Sequence, residues 1–154
     1  MELTTFQKPA CIRPTSKLAL KADVFEKLLN ELKSRGLPES MIESINQQIA
    51  LVHTSGQDEK TFAKQLSKSQ GLILKQLEKE LKIVPKNYHR MIFMSIGMAG
   101  FGIPMGVAFG LAIGNLAFLG LGLPIGLAIG IAIGTAKDKK AAAEGNQLDV
   151  EIIY

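Results

Sequence analysis

Residues 102–114, GIPMGVAFGLAIG, and residues 122–134, GLPIGLAIGIAIG, are two copies of one pattern. Each copy has glycine at every fourth position and a proline two places after its first glycine. Both copies lie within residues 91–136, which contain no Asp, Glu, Lys or Arg and hold 11 of the 15 glycines. Such a segment is typical of a membrane-spanning region, because about 18 continuous apolar residues are enough for one transmembrane helix.

The apolar segment is too long for one crossing, since a straight helix of this length would extend roughly 69 Å against a hydrocarbon core of about 30 Å. Two crossings of about 20 residues joined by a short turn fit the length. One alternative is a helical pair buried inside a soluble protein, although the rest of the chain is short for covering it on every side. A second alternative is a re-entrant hairpin, because the connection NLAFLGLG at residues 115–122 carries no charge.

Small residues in two matched ladders predict close helix packing. Helices in lipid gain little from the hydrophobic effect, and small residues let their backbones approach closely. Two alanines in each copy lie two places after a ladder glycine, about 200° around the helix, so each span has two nearly opposed small-residue faces. One face would pack the sister helix and the other a neighbouring chain, unless the alanines are merely tolerated in lipid. The predicted helix-packing residues are Gly102, Gly106, Gly110, Gly114, Gly122, Gly126, Gly130, Gly134, Ala108, Ala112, Ala128 and Ala132.

Two prolines and one asparagine bear on the helix bounds within the apolar segment. Pro104 predicts a bend in the first span near residues 100–102, because proline cannot donate the hydrogen bond that a helix interior needs. Pro124 suits the first turn of the second span. Asn115 is predicted to close the first span or to form an Asx turn, with a buried polar contact as the alternative.

The two ladders, over residues 102–134, resemble the glycine-zipper transmembrane hairpins of small bacterial proteins. The resemblance implies tight helix packing and often oligomers. Proteins with this motif have mixed functions, among them pore formation and anchoring of envelope components. The resemblance carries no catalytic residue over to this chain.

The first 90 residues contain 15 of the 18 Lys and Arg and 10 of the 14 Asp and Glu. Apolar residues at helical spacing predict three amphipathic helices over residues 22–35, 38–53 and 58–83. Asp23 is the predicted N-cap of the first, and His53 is predicted to face the dipole at the end of the second. These helices would form a small bundle, or each would lay its apolar face on a partner or on lipid.

The predicted fold class is therefore all-α, with a small N-terminal helical domain of about three amphipathic helices and a C-terminal two-helix transmembrane hairpin. The predicted domains are an irregular N-terminal arm at 1–20, a soluble helical domain at 21–85, the hairpin at 89–137 and a charged C-terminal tail at 138–154.

Cations flank the apolar segment on both sides, and its connection has none. The positive-inside rule then predicts that both termini are cytoplasmic, here in a bacterial inner membrane. The predicted membrane-flanking residues are Lys86, Arg90, Lys137, Lys139 and Lys140.

No catalytic, cofactor-binding or metal-ligating set is recognisable. His53 and His89 lie in different segments without the spacing of a helical metal pair, and Cys11 is the only cysteine. No carboxylate lies inside the apolar segment, which argues against a proton-coupled transporter. We predict no enzyme and no cofactor. No aromatic-interleaved basic patch points to nucleic acid, and the net charge of +4 fits anionic lipid better.

The sequence thus predicts a small integral membrane protein that self-associates and anchors a cytoplasmic helical domain as an adaptor. Its partners would be the lipid bilayer, further copies of itself and a cytoplasmic protein that meets the N-terminal helices. The alternative is an oligomeric pore-forming or membrane-permeabilising protein. A pore lined only by backbone, Gly and Ala would lack the charged rings of many channels, so this alternative ranks second.

Overall fold

The computed structural model describes residues 2–9, 16–55 and 58–152, without the side chains of residues 116 and 119. The described chain is predominantly helical, and the predicted all-α fold class is confirmed. It divides into two compact units. The first comprises the residues up to Pro85 together with those from Leu148 onward, and the second is Lys86–Gln147.

Three helices build the first unit: α1 at Lys17–Ser34, α2 at Glu39–Thr54 and α3 at Glu59–Leu81. Their apolar faces meet in one core, as the periodicity predicts. The largest side chains of that core include Phe25, Leu28, Leu32, Met41, Ile45, Ile49, Phe62, Leu66, Ile73 and Leu77, all at most 1% exposed. A shared core of this kind gives three short amphipathic helices the burial that none of them has alone.

Polar caps set where two of these helices begin. α1 starts earlier than the predicted residue 22, because the Ser16 hydroxyl accepts a hydrogen bond from Ala19 N at 3.1 Å. Asp23 is consequently not an N-cap but lies inside α1, where its carboxylate pairs with Lys8. Asp58 caps α3, and the hydrogen bond from the Thr61 hydroxyl lowers the pKa of this carboxyl below its ordinary 3.8. The stability that the Asp58 cap contributes is therefore fully present above pH 3.8 and is lost as the pH falls through the lowered pKa.

The described part of the N-terminal arm, residues 2–9, has no regular secondary structure but packs on the bundle. Leu3 and Phe6 are buried at 8% and 5% exposure, and the Phe6 ring meets the Phe25 ring edge-on at 5.1 Å. Gln7 N donates to His53 Nε2 at 3.3 Å, and the His53 ring stacks on Phe6. His53 therefore holds the arm, a role that helical periodicity alone does not predict.

Two short strands connect the units along the chain: β1 at Val84–Lys86 and β2 at Gln147–Glu151 pair in a two-stranded sheet. Residues 138–154, expected as a charged tail, are arranged differently. The last helix continues to Ala143, and β2 then returns to the first unit. Leu148 is 1% exposed in the core formed with the three helices, and both Glu31 carboxylate oxygens accept from Asp149 N at 2.9 and 3.0 Å.

The second unit is a helical hairpin. Its first arm consists of α4 at Tyr88–Gly97, a π-helical turn at Met98–Gly102 and α5 at Ile103–Ile113. A 3₁₀ turn at Leu116–Phe118 leads into the second arm, α6 at Leu119–Ala143. Each arm extends past one end of the apolar segment, because α4 starts before residue 91 and α6 continues through the lysines that follow residue 136.

Gly114 and Asn115 make the turn of the hairpin. Gly114 is left-handed at φ +72°, and Asn115 N donates to Gly110 O at 2.9 Å while Gly114 N donates to Leu111 O at 3.3 Å. This pair of bonds is the Schellman motif, which favours glycine at the left-handed position. Ala117 N donates to Asn115 Oδ1 at 2.9 Å, so Asn115 forms an Asx turn, as expected.

Candidate functional site: the glycine interface of the hairpin

The second glycine ladder faces the first arm of the hairpin along its whole length. Gly122, Gly126, Gly130 and Gly134 are all buried. A Cβ added at Gly122 would lie 2.7 Å from the Cα of Gly106, and one at Gly126 would lie 2.7 Å from the Cα of Gly102. Real Cβ atoms do not approach backbone this closely, so the two arms are in backbone-to-backbone contact that only glycine permits.

The first ladder is used differently from the prediction at both ends. Gly102, Gly106 and Gly110 are buried, but Gly114 has nothing within 4 Å of a Cβ position and serves as the left-handed helix end. Its place in the interface is taken at the other end by Gly97. A Cβ on Gly97 would lie 2.8 Å from the Cα of Gly130.

The π-helical turn explains why Gly97 joins the interface. Gly97 and Gly102 are five residues apart, which does not match an α-helical face. Ile103 N bonds Met98 O, five residues back, so the extra residue is absorbed within that turn and both glycines face α6. The turn directly precedes Pro104, which has no N–H to donate to Gly100 O. The disturbance predicted at residues 100–102 therefore takes the form of a π turn.

Large apolar side chains cover the outside of the hairpin, which is the reverse of a water-soluble helix pair. Leu111 is 71% exposed, Ile113 57% and Leu121 55%. Outside the hairpin, the described residues include just three exposed large apolar side chains, Leu20, Leu51 and Leu72. An apolar surface this extensive on a small unit marks a contact with lipid or protein, since soluble monomers rarely expose one.

The four alanines of the second stripe also lie on the outside. Ala108, Ala112, Ala128 and Ala132 are exposed, whereas the glycine two places before each of them is buried. The interface between the arms thus uses the glycine faces alone. The alanine faces are left without a partner within the described part of this chain.

Asp138 joins the two arms at the open end of the hairpin, where α4 begins and α6 ends. The sequence by itself does not predict this contact. Asp138 is 7% exposed, and its two carboxylate oxygens accept from His89 N and Arg90 N, each at 2.9 Å. These N–H groups belong to the first turn of α4, whose own N-cap residue Asn87 makes no side-chain capping bond. A residue of α6 therefore caps α4, which places the negative charge where the helix dipole favours it.

The flanking cations surround this cap. Arg90, Lys137, Lys139 and Lys140 are exposed. The Lys137 ammonium lies 4.8 Å from the centroid of the Phe93 ring, in cation–π geometry, and Lys140 is 3.9 Å from Glu144. Lys86, the fifth flanking cation, ends β1 and is exposed as well.

Among residues 2–9, 16–55 and 58–152, no three His, Cys, Asp or Glu side chains are arranged to hold a metal ion. His53 and His89 belong to different units, and Cys11 lies outside the described residues.

Two helical stretches, Tyr88–Ile113 and Gly120–Ala143, are long and apolar enough to cross a membrane. Only 22% of each apolar window is buried within the chain, unlike the core helix of a soluble protein. No family model, curated protein or solved structure matches this chain.

Replacing Asp138 by alanine is expected to destabilise the open end of the hairpin by about 2 kcal/mol, because two backbone N–H groups of α4 lose their acceptor. Hydrogen exchange of the α4 amides, measured on detergent-solubilised protein, is expected to accelerate there first. Lys139→Ala changes the next, exposed residue and serves as control. Equal protection in both variants would mean that the cap contributes nothing to the hairpin.

Proposed function

We propose that this chain is a small integral membrane protein whose glycine-packed hairpin crosses the bilayer and anchors the helical unit at its surface. The observation that carries the proposal is the inverted packing of the hairpin, with glycine backbones inside and large apolar side chains outside. In water this arrangement would expose a large apolar surface to solvent. In lipid the same surface is solvated by acyl chains, and close packing is the interaction that joins the two arms.

The lengths of the two arms suit a full crossing. The apolar part of α4 through α5, residues 91–113, would extend about 34 Å, and that of α6, residues 119–136, about 27 Å, against a hydrocarbon core of about 30 Å. Charges follow directly at the open end and are absent from the turn. These features favour a crossing over a re-entrant hairpin, which would stop partway.

The pairing of β1 with β2 supports the proposed topology. The chain enters the hairpin after β1 and leaves it before β2, and hydrogen bonds join these two strands. Strands that are paired lie on the same side of a membrane. Both ends of the hairpin, and with them the first unit, would then be on the side that the flanking cations assign to the cytoplasm.

Extraction of membranes with alkaline carbonate tests insertion. We expect the full chain to stay in the membrane pellet. Release into the supernatant, together with a folded monomer in detergent-free buffer, would contradict the proposal and favour a buried helical pair in a soluble protein.

Single-cysteine labelling tests the topology. In a Cys11→Ser background, Lys33→Cys and Glu144→Cys are expected to react with a membrane-impermeant maleimide from the same side of sealed vesicles. Ala117→Cys, in the turn, is expected to react only from the other side. If Ala117→Cys reacts from the same side as the other two, the hairpin is re-entrant.

Self-association is proposed through the exposed alanine faces. Leucine at these positions would hold a neighbouring backbone away, so Ala112→Leu and Ala132→Leu are expected to reduce crosslinked dimers in membranes severalfold. Leu111→Met, at the most exposed apolar side chain of the hairpin, keeps the volume and is the control. If dimers persist equally in all three variants, the alanine faces do not mediate self-association, and the anchor function does not depend on them.

Pore formation remains the alternative, and the packing bears on it. Backbone contact between the arms leaves no channel inside one hairpin, so conduction would need several copies around a lumen. Release of a dye from liposomes that rises steeply with protein concentration would favour this function. Liposomes that stay sealed would favour the anchor.

A further inference from the structure

The open end of the hairpin has more cationic than acidic side chains, and an apolar surface lies next to it. Of the charged side chains there, Asp138 is the one acid in the contact layer between α4 and α6. Both of its oxygens are engaged by the backbone N–H groups of His89 and Arg90. The carboxylate therefore caps the end of a helix and forms no ion pair with the described cations around it.

Three cations at this end lack an ionic partner among the residues that the structure describes. Arg90 donates its backbone N–H to Asp138 while its side chain is exposed, Lys137 lies over the Phe93 ring, and Lys139 is exposed. The Cα of Arg90 would lie 2.5 Å from a Cβ added at Gly134, one turn before Asp138, so α4 and α6 bring these cations to one level of the hairpin.

The surface next to these cations is apolar. Met91 is 47% exposed, Ile92 38% and Ile96 52%, and they continue along α4 from Arg90. A cationic layer beside an exposed apolar helix flank has the two chemistries of a phospholipid, a phosphate-bearing headgroup and an acyl chain. Cations at a membrane surface favour anionic over zwitterionic headgroups.

We propose that Arg90, Lys137 and Lys139 bind the headgroups of anionic phospholipids around the open end of the hairpin, with the acyl chains along its apolar outside. Lys137 and Lys139 lie on opposite flanks of α6, because they are two residues apart on one helix, so they hold a layer of lipids and not a single headgroup. This inference rests on the proposed membrane insertion and adds a lipid preference to it. These cations would fix the depth of the hairpin and hold anionic lipid around its open end.

The test uses the full chain in neutral detergent, with native mass spectrometry to count bound phosphatidylglycerol or phosphatidylcholine at matched concentrations. The wild type is expected to retain phosphatidylglycerol preferentially. Near a membrane surface each cation contributes about fivefold in affinity, so Arg90→Gln/Lys137→Gln/Lys139→Gln is expected to abolish the preference.

The matched control is Lys64→Gln/Lys68→Gln/Lys75→Gln, which removes the same charge from exposed positions of α3 in the first unit. It is expected to keep the preference. Equal loss in both triple variants would reduce the effect to net charge and overturn the proposal. A wild type that retains both lipids equally would also overturn it.

A competition experiment distinguishes binding of lipid from binding of free phosphate. Inorganic phosphate at millimolar concentration should leave bound phosphatidylglycerol in place, because it offers no acyl chain. Displacement by phosphate would mean a soluble-anion site instead of a lipid surface. Insertion is scored separately by carbonate extraction, so a protein that inserts without lipid preference would overturn this inference and leave the anchor intact.

Discussion

Alanine at Gly126 is expected to force the two arms of the hairpin apart. The added Cβ would lie 2.7 Å from the Cα of Gly102, and the neighbouring atoms are backbone on both sides. No side chain can turn away to make room, so the helices must separate and lose packing along their length. We expect a loss of about 3 kcal/mol, at the upper end for an overpacked site.

The matched control is Gly120→Ala, since nothing lies within 4 Å of a Cβ at that position of α6. This change should be neutral or stabilising, because alanine has the higher helix propensity by about 1 kcal/mol. Titration with a denaturing detergent, followed by hydrogen exchange of α4 and α6, measures both variants. If they unfold at the same detergent fraction, glycine contact does not hold the hairpin.

Truncating Leu148 to alanine is expected to destabilise the helical unit although the residue follows the hairpin in sequence. Leu148 is 1% exposed and belongs to the core of α1, α2 and α3. The loss should be about 3 kcal/mol, as for other buried leucines cut to alanine. Hydrogen exchange in α1 and α3 of the full chain is expected to accelerate accordingly.

Leu72→Ala is the control for this change, because Leu72 lies on α3 itself and is 45% exposed. Its removal should change stability by less than about 1 kcal/mol. Were Leu148→Ala as stable as Leu72→Ala, β2 would be an attached tail, and the helical unit would be complete at Pro85.

Much of the fold is legible in local patterns. The spacing of Phe25, Leu28, Leu29 and Leu32 predicts the buried face of α1, and the corresponding faces of α2 and α3 follow in the same way. The start of α1 is less legible, because Ser16 and Asp23 are both good N-caps in sequence. Residues 2–9 have no period, so only the structure reveals that Phe6 is part of the core.

Residues 147–152 have a strand pattern that a search for helical periodicity does not detect. In residues 147–152, QLDVEI, apolar and polar residues alternate, which is the period of a half-buried strand. The acidic residues of this stretch suggest a solvated tail instead. Whether so short an alternating stretch forms a strand depends on the strand with which it pairs. That strand, β1, lies far away in sequence.

The sequence by itself determined the two apolar arms, the four glycines of α6 and the cations at the open end, because each depends on composition or on a regular period along one helix. Only the tertiary structure decided that Gly97 replaces Gly114 in the interface, that Asp138 caps α4 and that Leu148 completes the helical core. The reason is physical: a π turn shifts the phase of a helix face, and a cap or a core contact supplied from a distant segment depends on which surfaces meet after folding.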